Sequence, residues 1–106
     1  MNLTTQIPEI TRRIIETSHP EKIILFGSYA RGTFGTESDL DLLVIIPGVR
    51  HPRQESIRVR RALRGLLVPV DIIVATPEQI ERLGKTSGLI YQSALQEGKV
   101  LYEHAG

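Results

Sequence analysis

Three aspartates and one glycine-serine pair carry the chemistry open to this sequence. Asp39 and Asp41 stand two positions apart at the head of the apolar run "DLDLLVII", 39–46. Asp71 interrupts a second apolar run, "VPVDIIVA", 68–75, and Gly27-Ser28 directly follows a third, "KIILF", 22–26. Side chains alternate along a strand, so Asp39 and Asp41 in extended chain share one face, roughly 6.5–7 Å apart. Leu40, Leu42 and Val44 then turn to the core. Two carboxylates on one face repel, and water, a cation or a basic partner must offset them. A hard divalent ion such as Mg²⁺ suits the pair, because it takes carboxylate oxygens, keeps several waters and bridges to phosphates. Asp71 is unusual for the same reason: a charge inside an apolar strand is rare unless paired or bound. If its strand lies beside that of Asp41, the third carboxylate reaches the same face. Three carboxylates on neighbouring strands can hold two ions ~3.5–4 Å apart, the arrangement used for in-line displacement at phosphorus.

The turn offers the complementary half. Glycine lets backbone approach a ligand closely. Free N–H groups at a helix start, with the Ser28 hydroxyl, can hold phosphate oxygens, and Arg31 can add charge-assisted bonds. Phosphate on one side and metal on the other would clamp a nucleoside triphosphate. The other glycine motifs fail: G-x-G-x-x-G is absent, Thr33 and Phe34 stand where a P-loop needs Lys and Ser/Thr, and "GKT" at 84–86 is preceded by Gln79 where the loop's first glycine belongs.

Plainer readings stand beside these. Asp39 and Asp41 also fit a solvated turn, with Asp39 as a cap. Asp71 also fits a structural pair with an arginine, and Ser28 fits a simple helix cap. Arg31 fits a pair to Glu37 or to an aspartate. Segment 50–64 has Arg50, Arg53, Arg58, Arg60, Arg61 and Arg64 against one acid, Glu55. That stripe suits an acidic partner, RNA or nucleotide phosphates, but equally a solvated helix face; no aromatics interleave it, which weakens a single-strand nucleic-acid reading. Tyr29 either stacks on a base or packs. His19, His51 and His104 lack ligand spacing and read as surface residues.

The elements that must position these groups alternate in type. Ile7, Ile10 and Ile14 at helical spacing predict a helix over 6–18, stopped by "SHP". Strands follow at 22–26, 39–46 and 68–75, with an amphipathic helix over 53–67 between the last two. "TPEQ" at 76–79 predicts a capped helix ending near Gly84. A last helix, about 88–97 and capped by Thr86 or Ser87, leads to an edge strand at 99–103. The order α-β-α-β-α-β-α-α-(β) predicts an α/β (α+β) domain, a mixed three- to four-stranded sheet with helices packed on it.

Composition bounds the rest. The chain has 106 residues, 41% hydrophobic and 24% charged, with net charge +1. One domain, 1–106, is expected. No cysteine is present, which excludes disulfides, thiolate metal sites and cysteine nucleophiles. Neither a signal-peptide core nor an apolar run of the ~20 residues a membrane helix needs occurs, so a cytoplasmic protein is expected.

Gly27-Ser28, ten residues, then Asp39-Leu40-Asp41 resembles the signature of the polymerase-β-type nucleotidyltransferase superfamily. "GSYARG…SDLDLLV" is similar to its minimal, MntA-type branch, as is the tail "LIYQSALQEGKVLYE". The resemblance implies a nucleotidyltransferase palm and transfer of a nucleoside monophosphate, commonly AMP from ATP, with release of pyrophosphate. It implies that Asp39 and Asp41 hold two Mg²⁺ ions (or Mn²⁺), that Asp71 completes the metal site and serves as general base, and that Gly27 and Ser28 bind the β- and γ-phosphates. It implies a HEPN-type helical toxin as partner, adenylylated on a tyrosine. The alternatives are an antitoxin that acts by contact alone, a transferase acting on RNA or a small molecule, and an Asp-x-Asp glycosyltransferase, for which the chain leaves little room.

Overall fold

Four aliphatic, β-branched runs pair into one mixed sheet. In the computed structural model, which describes residues 3–33, 35, 39–83 and 90–104, the strands are β1 (Lys22–Phe26), β2 (Leu40–Ile45), β3 (Val70–Ala75) and β4 (Lys99–Glu103). Their spatial order is β3-β2-β1-β4. β1 is antiparallel to β2 and β4, whereas β2 and β3 are parallel. A parallel pair needs a crossover, and α3 (Pro52–Ala62) supplies it. The other helices are α1 (Ile7–Ser18), α2 (Ser28–Arg31), α4 (Pro77–Leu83) and α5 (Ile90–Glu97). A 3-10 turn, Leu3–Gln6, leads into α1.

Both faces of the sheet are covered, which is why the strands read as unbroken apolar runs rather than alternating ones. On one face Ile23, Leu25, Leu40, Leu42, Val44, Ile72 and Val74 pack with Ile10 and Ile14 of α1 and Val59 of α3. On the other, Ile24, Phe26, Leu43, Ile45 and Ala75 pack with Ala94 of α5, and Ile80 and Tyr91 join them. No described helix is long and apolar enough to cross a membrane.

The ends of the elements follow local chemistry. α1 stops at His19, whose φ of 47° is left-handed and whose N–H donates to the Ile15 carbonyl at 3.0 Å. α4 starts with the predicted reciprocal cap: the Thr76 N–H donates to Gln79 Oε1 (2.9 Å) and the Gln79 N–H to Thr76 Oγ1 (3.2 Å). Several boundaries differ from expectation, two of them for a plain local reason. α3 stops at Ala62 rather than 67, because the chain turns tightly through Gly65 at φ 95°. β3 begins at Val70 rather than 68, since Pro69 has no N–H for a ladder. Its carbonyl still accepts from the Leu40 N–H at 3.0 Å. The expected end near Gly84, the caps at Thr86 or Ser87 and the start at 88 lie outside the described residues.

Candidate active site

The C-terminal end of β1 and the N-terminal ends of β2 and β3 meet at one edge of the sheet. Register fixes what they bring there: Phe26 is paired with Asp41, and Asp41 with Asp71. Paired residues on adjacent strands share a face, so Asp41 and Asp71 are neighbours on the side covered further along by α4 and α5. Their strands are about 4.8 Å apart. The condition set by the sequence, that the third aspartate's strand lie beside the second's, is met.

Asp39 sits differently from expectation. β2 starts at Leu40, so Asp39 precedes the strand and is exposed rather than held by ladder pairing. Asp41 is half-buried. Burial pushes its carboxyl above the ordinary range, the charges of Asp71 and Asp39 push it further, and the Arg31 guanidinium offsets part of this. The edge therefore carries a surplus of negative charge that its own cations do not cancel.

Gly27 closes over Asp41. Its φ of 76° and ψ of −156° lie where only glycine sits without strain. A Cβ on Gly27 would overlap the Asp41 carboxylate. The turn thus brings the backbone against the acid with no side chain between them. α2 follows at once, its Ala30 and Arg31 N–H groups both donating to the Gly27 carbonyl at 3.1 Å. Tyr29 and Ala30 anchor α2 in the core, so Tyr29 packs and is not presented as a base-stacking ring. Ser28 remains half-buried at the start of the helix. Arg31 faces Glu97 of α5 at 3.6 Å, both about half exposed. Glu37, the partner considered from sequence, lies outside the described residues. Glu97 was not foreseen, because only the packing of α5 against β1 brings it near Arg31.

Among the described residues Asp71 has one basic contact. Arg60 Nη2 lies 3.8 Å from Asp71 Oδ1, with the two side chains 58% and 63% exposed. Arg60 comes from α3, on the opposite face, so the pair wraps the outer edge of β3. An exposed pair at this distance contributes little and leaves the carboxylate available. Among the described residues no three His, Cys, Asp or Glu side chains are drawn together at metal-holding distance. The three acids share an edge, but Asp71 leans toward Arg60. The donor chemistry nevertheless fits a hard divalent cation: oxygen donors, an uncancelled negative charge and a backbone turn aimed at the same point.

A family model described as "Nucleotidyltransferase domain" matches residues 6–101. A Methanocaldococcus jannaschii protein named a protein adenylyltransferase (MJ0604) is 37% identical over 82 residues, covering 77% of this chain and 78% of its own length. Two crystal structures share the fold. A mutant of the toxin-antitoxin MntA-HpeT superposes with a TM-score of 0.62 at 22% identity, over 99% of this chain and 76% of that one. A toxin-antitoxin with AMP-PNP superposes with a TM-score of 0.59 at 23% identity, over 92% and 73%.

Proposed function

The chain belongs to the nucleotidyltransferase domain family, and from that premise we propose that it moves AMP from ATP onto a protein hydroxyl, the tyrosine of a HEPN-type toxin partner. The observation that carries the reading is the register of Asp41 with Asp71 beneath the Gly27 turn. The relative named a protein adenylyltransferase supports the acceptor class. The toxin-antitoxin neighbours, one with AMP-PNP, support the nucleotide and the partner.

Each residue takes a role its position allows. Asp39, Asp41 and Asp71 would hold Mg²⁺ or Mn²⁺, which when bound supplies charge neutralisation to the phosphate oxygens. Gly27 and Ser28 receive the β- and γ-phosphates through backbone N–H groups and the hydroxyl. Arg31 adds positive charge on the same side. The acceptor oxygen attacks the α-phosphorus as the bond to the β-bridging oxygen breaks. Pyrophosphate leaves, and the Asp71 carboxylate accepts the hydroxyl proton. Positioning and charge neutralisation dominate such phosphoryl chemistry, so a small scaffold suffices.

The test is incubation of the purified chain with α-labelled ATP and Mg²⁺, alone and with the product of the adjacent gene. Label should pass to the partner protein and be lost with Asp41→Asn. Transfer undiminished by Asp41→Asn would overturn the assignment, and label found only on RNA or a small molecule would move the acceptor out of the protein class.

A further inference from the structure

The last turn of α3 and the chain leading into β3 form a groove of ≈ 590 Å³ that ends at Asp71. Arg60, Arg61 and Arg64 line it, together with Leu66, Val68 and Val70. Neither Arg61 nor Arg64 has a carboxylate partner among the described residues, and Asp71 is the single acid in the lining. Two apolar side chains are exposed on these elements: Leu67, just before β3, is 95% exposed, and Ile57, midway along α3 and in the lining itself, is 46% exposed. Leu66, Val68 and Val70 pack on the core from beneath and Arg60 meets Asp71, but among the described residues Arg61, Arg64 and Leu67 have no such use. Arg61 and Arg64 point to no internal acid, and Leu67 contributes nothing to either core cluster.

We infer that this groove seats an acidic-apolar polypeptide segment of the acceptor and delivers its hydroxyl to Asp71. The inference rests on the transferase reading and names what that site would recognise. Charge complementarity selects an acidic partner, since three cations face one weakly held carboxylate. The aliphatic floor and the exposed Leu67 select polypeptide over nucleic acid, because a groove for single strands stacks bases on aromatic rings and this one has none. Asp71 belongs to both regions: it ends the groove and stands in register with Asp41. An acceptor lying along the arginines therefore reaches the sheet edge on the side away from Gly27. As it docks, its acidic groups compete for Arg60 and free Asp71.

The experiment uses the full chain and labelled tyrosine peptides of equal length, one acidic-apolar, one neutral and one basic, with single-stranded RNA as a fourth probe. Fluorescence anisotropy should show the acidic-apolar peptide bound best. The double variant Arg61→Glu/Arg64→Glu should weaken it about tenfold or more, and Arg61→Gln/Arg64→Gln by less. AMP-PNP binding with Mg²⁺ and the thermal midpoint should stay unchanged in both variants. In AMP transfer to the peptide, KM should rise while kcat holds. Equal affinity for the three peptides, unchanged affinity in both variants, or tighter binding of RNA than of any peptide would overturn the groove assignment. Peptide binding that charge reversal abolishes, in a chain that transfers AMP to nothing, would leave the groove standing and sink the transferase reading instead.

Discussion

Asp41→Asn should stabilise the metal-free protein while destroying its chemistry. The half-buried Asp41 carboxyl is raised first by burial, then by Asp71 and Asp39, and only partly relieved by Arg31. Its folded form therefore holds a proton to higher pH than its unfolded form. The sign follows: the stability linked to this group is fully present below about pH 4, the unfolded value, and is lost as pH rises through the raised folded value. The size comes from geometry. Adjacent strands put Asp71 about 5 Å away, and its side chain is 63% exposed, so solvent screening keeps the repulsion to about 1 kcal/mol. For a chain of 106 residues that is a midpoint rise of roughly 4–8 °C. Thermal unfolding in EDTA from pH 4 to pH 8 should show wild type and variant converging at the acid end and the variant ahead at neutral pH. Adding Mg²⁺ and AMP-PNP should reverse the ranking, since a ligand at about 100 times its Kd stabilises the wild type by about 2.7 kcal/mol and the variant by far less. A variant less stable than wild type in EDTA at pH 7, or a difference that ignores pH, would refute the electrostatic argument.

Gly27→Ala meets both a glycine-only backbone conformation and the Asp41 carboxylate. It should cost about 1–3 kcal/mol in urea denaturation and weaken AMP-PNP binding. Gly98→Ala makes the contrasting case: a methyl there overlaps the Ala94 carbonyl and Ile24 rather than an aspartate. It should cost a similar ~1–3 kcal/mol, with nucleotide affinity per folded molecule unchanged in calorimetry. Hydrogen bonds from Arg12 and then Arg13 hold the Glu9 carboxyl down to about 2. Its stabilising effect is present above the unfolded value and fades as pH falls toward 2. An NMR titration should show the Glu9 resonance moving at that pH, and Arg12→Ala should bring it upward. Ile14→Ala removes a side chain with no solvent exposure from under β1 and β2. It should cost about 2–5 kcal/mol by denaturant unfolding, because the rigid sheet above cannot collapse into the gap.

Much of the architecture was legible because local signals and burial agree. The isoleucines of α1, the reciprocal cap of Thr76 with Gln79 and the unbroken apolar runs each specify an element without tertiary help. Boundaries failed where one residue overruled a pattern: Gly65 ended α3 although Leu66 and Leu67 continued its apolar content, and Pro69 delayed β3. The acids were legible as types and spacing. Whether Asp71 would stand beside Asp41 was not, because strand order is a property of the crossover rather than of either run. Nor could spacing show that Arg31 meets Glu97 or that Arg60 reaches round β3 to Asp71, since both contacts join residues distant in the chain.

What positions the candidate site is the core rather than any pairing among the acids. Asp41 has Leu40 and Leu42 as neighbours, 0% and 1% exposed, and they lock the phase of β2 against α1 and α3. A slip of one residue would turn Asp41 into that core and Leu40 and Leu42 out of it. The burial of a few leucines therefore fixes which face the carboxylate occupies. The parallel ladder to β3 transmits that phase to Asp71, and only glycine fits at position 27 because Asp41 lies against it. The exposed pair between Arg60 and Asp71 adds little, so breaking it should not disturb the sheet. Under the proposed function, a firmly placed Asp41 beside a weakly held Asp71 suits the uptake of a cation. Arg60→Ala tests this directly. It should leave the unfolding midpoint within about 0.5 kcal/mol of wild type and strengthen metal binding measured by Mn²⁺ calorimetry. A large loss of stability would show that the ion pair, not the core, holds Asp71 in place.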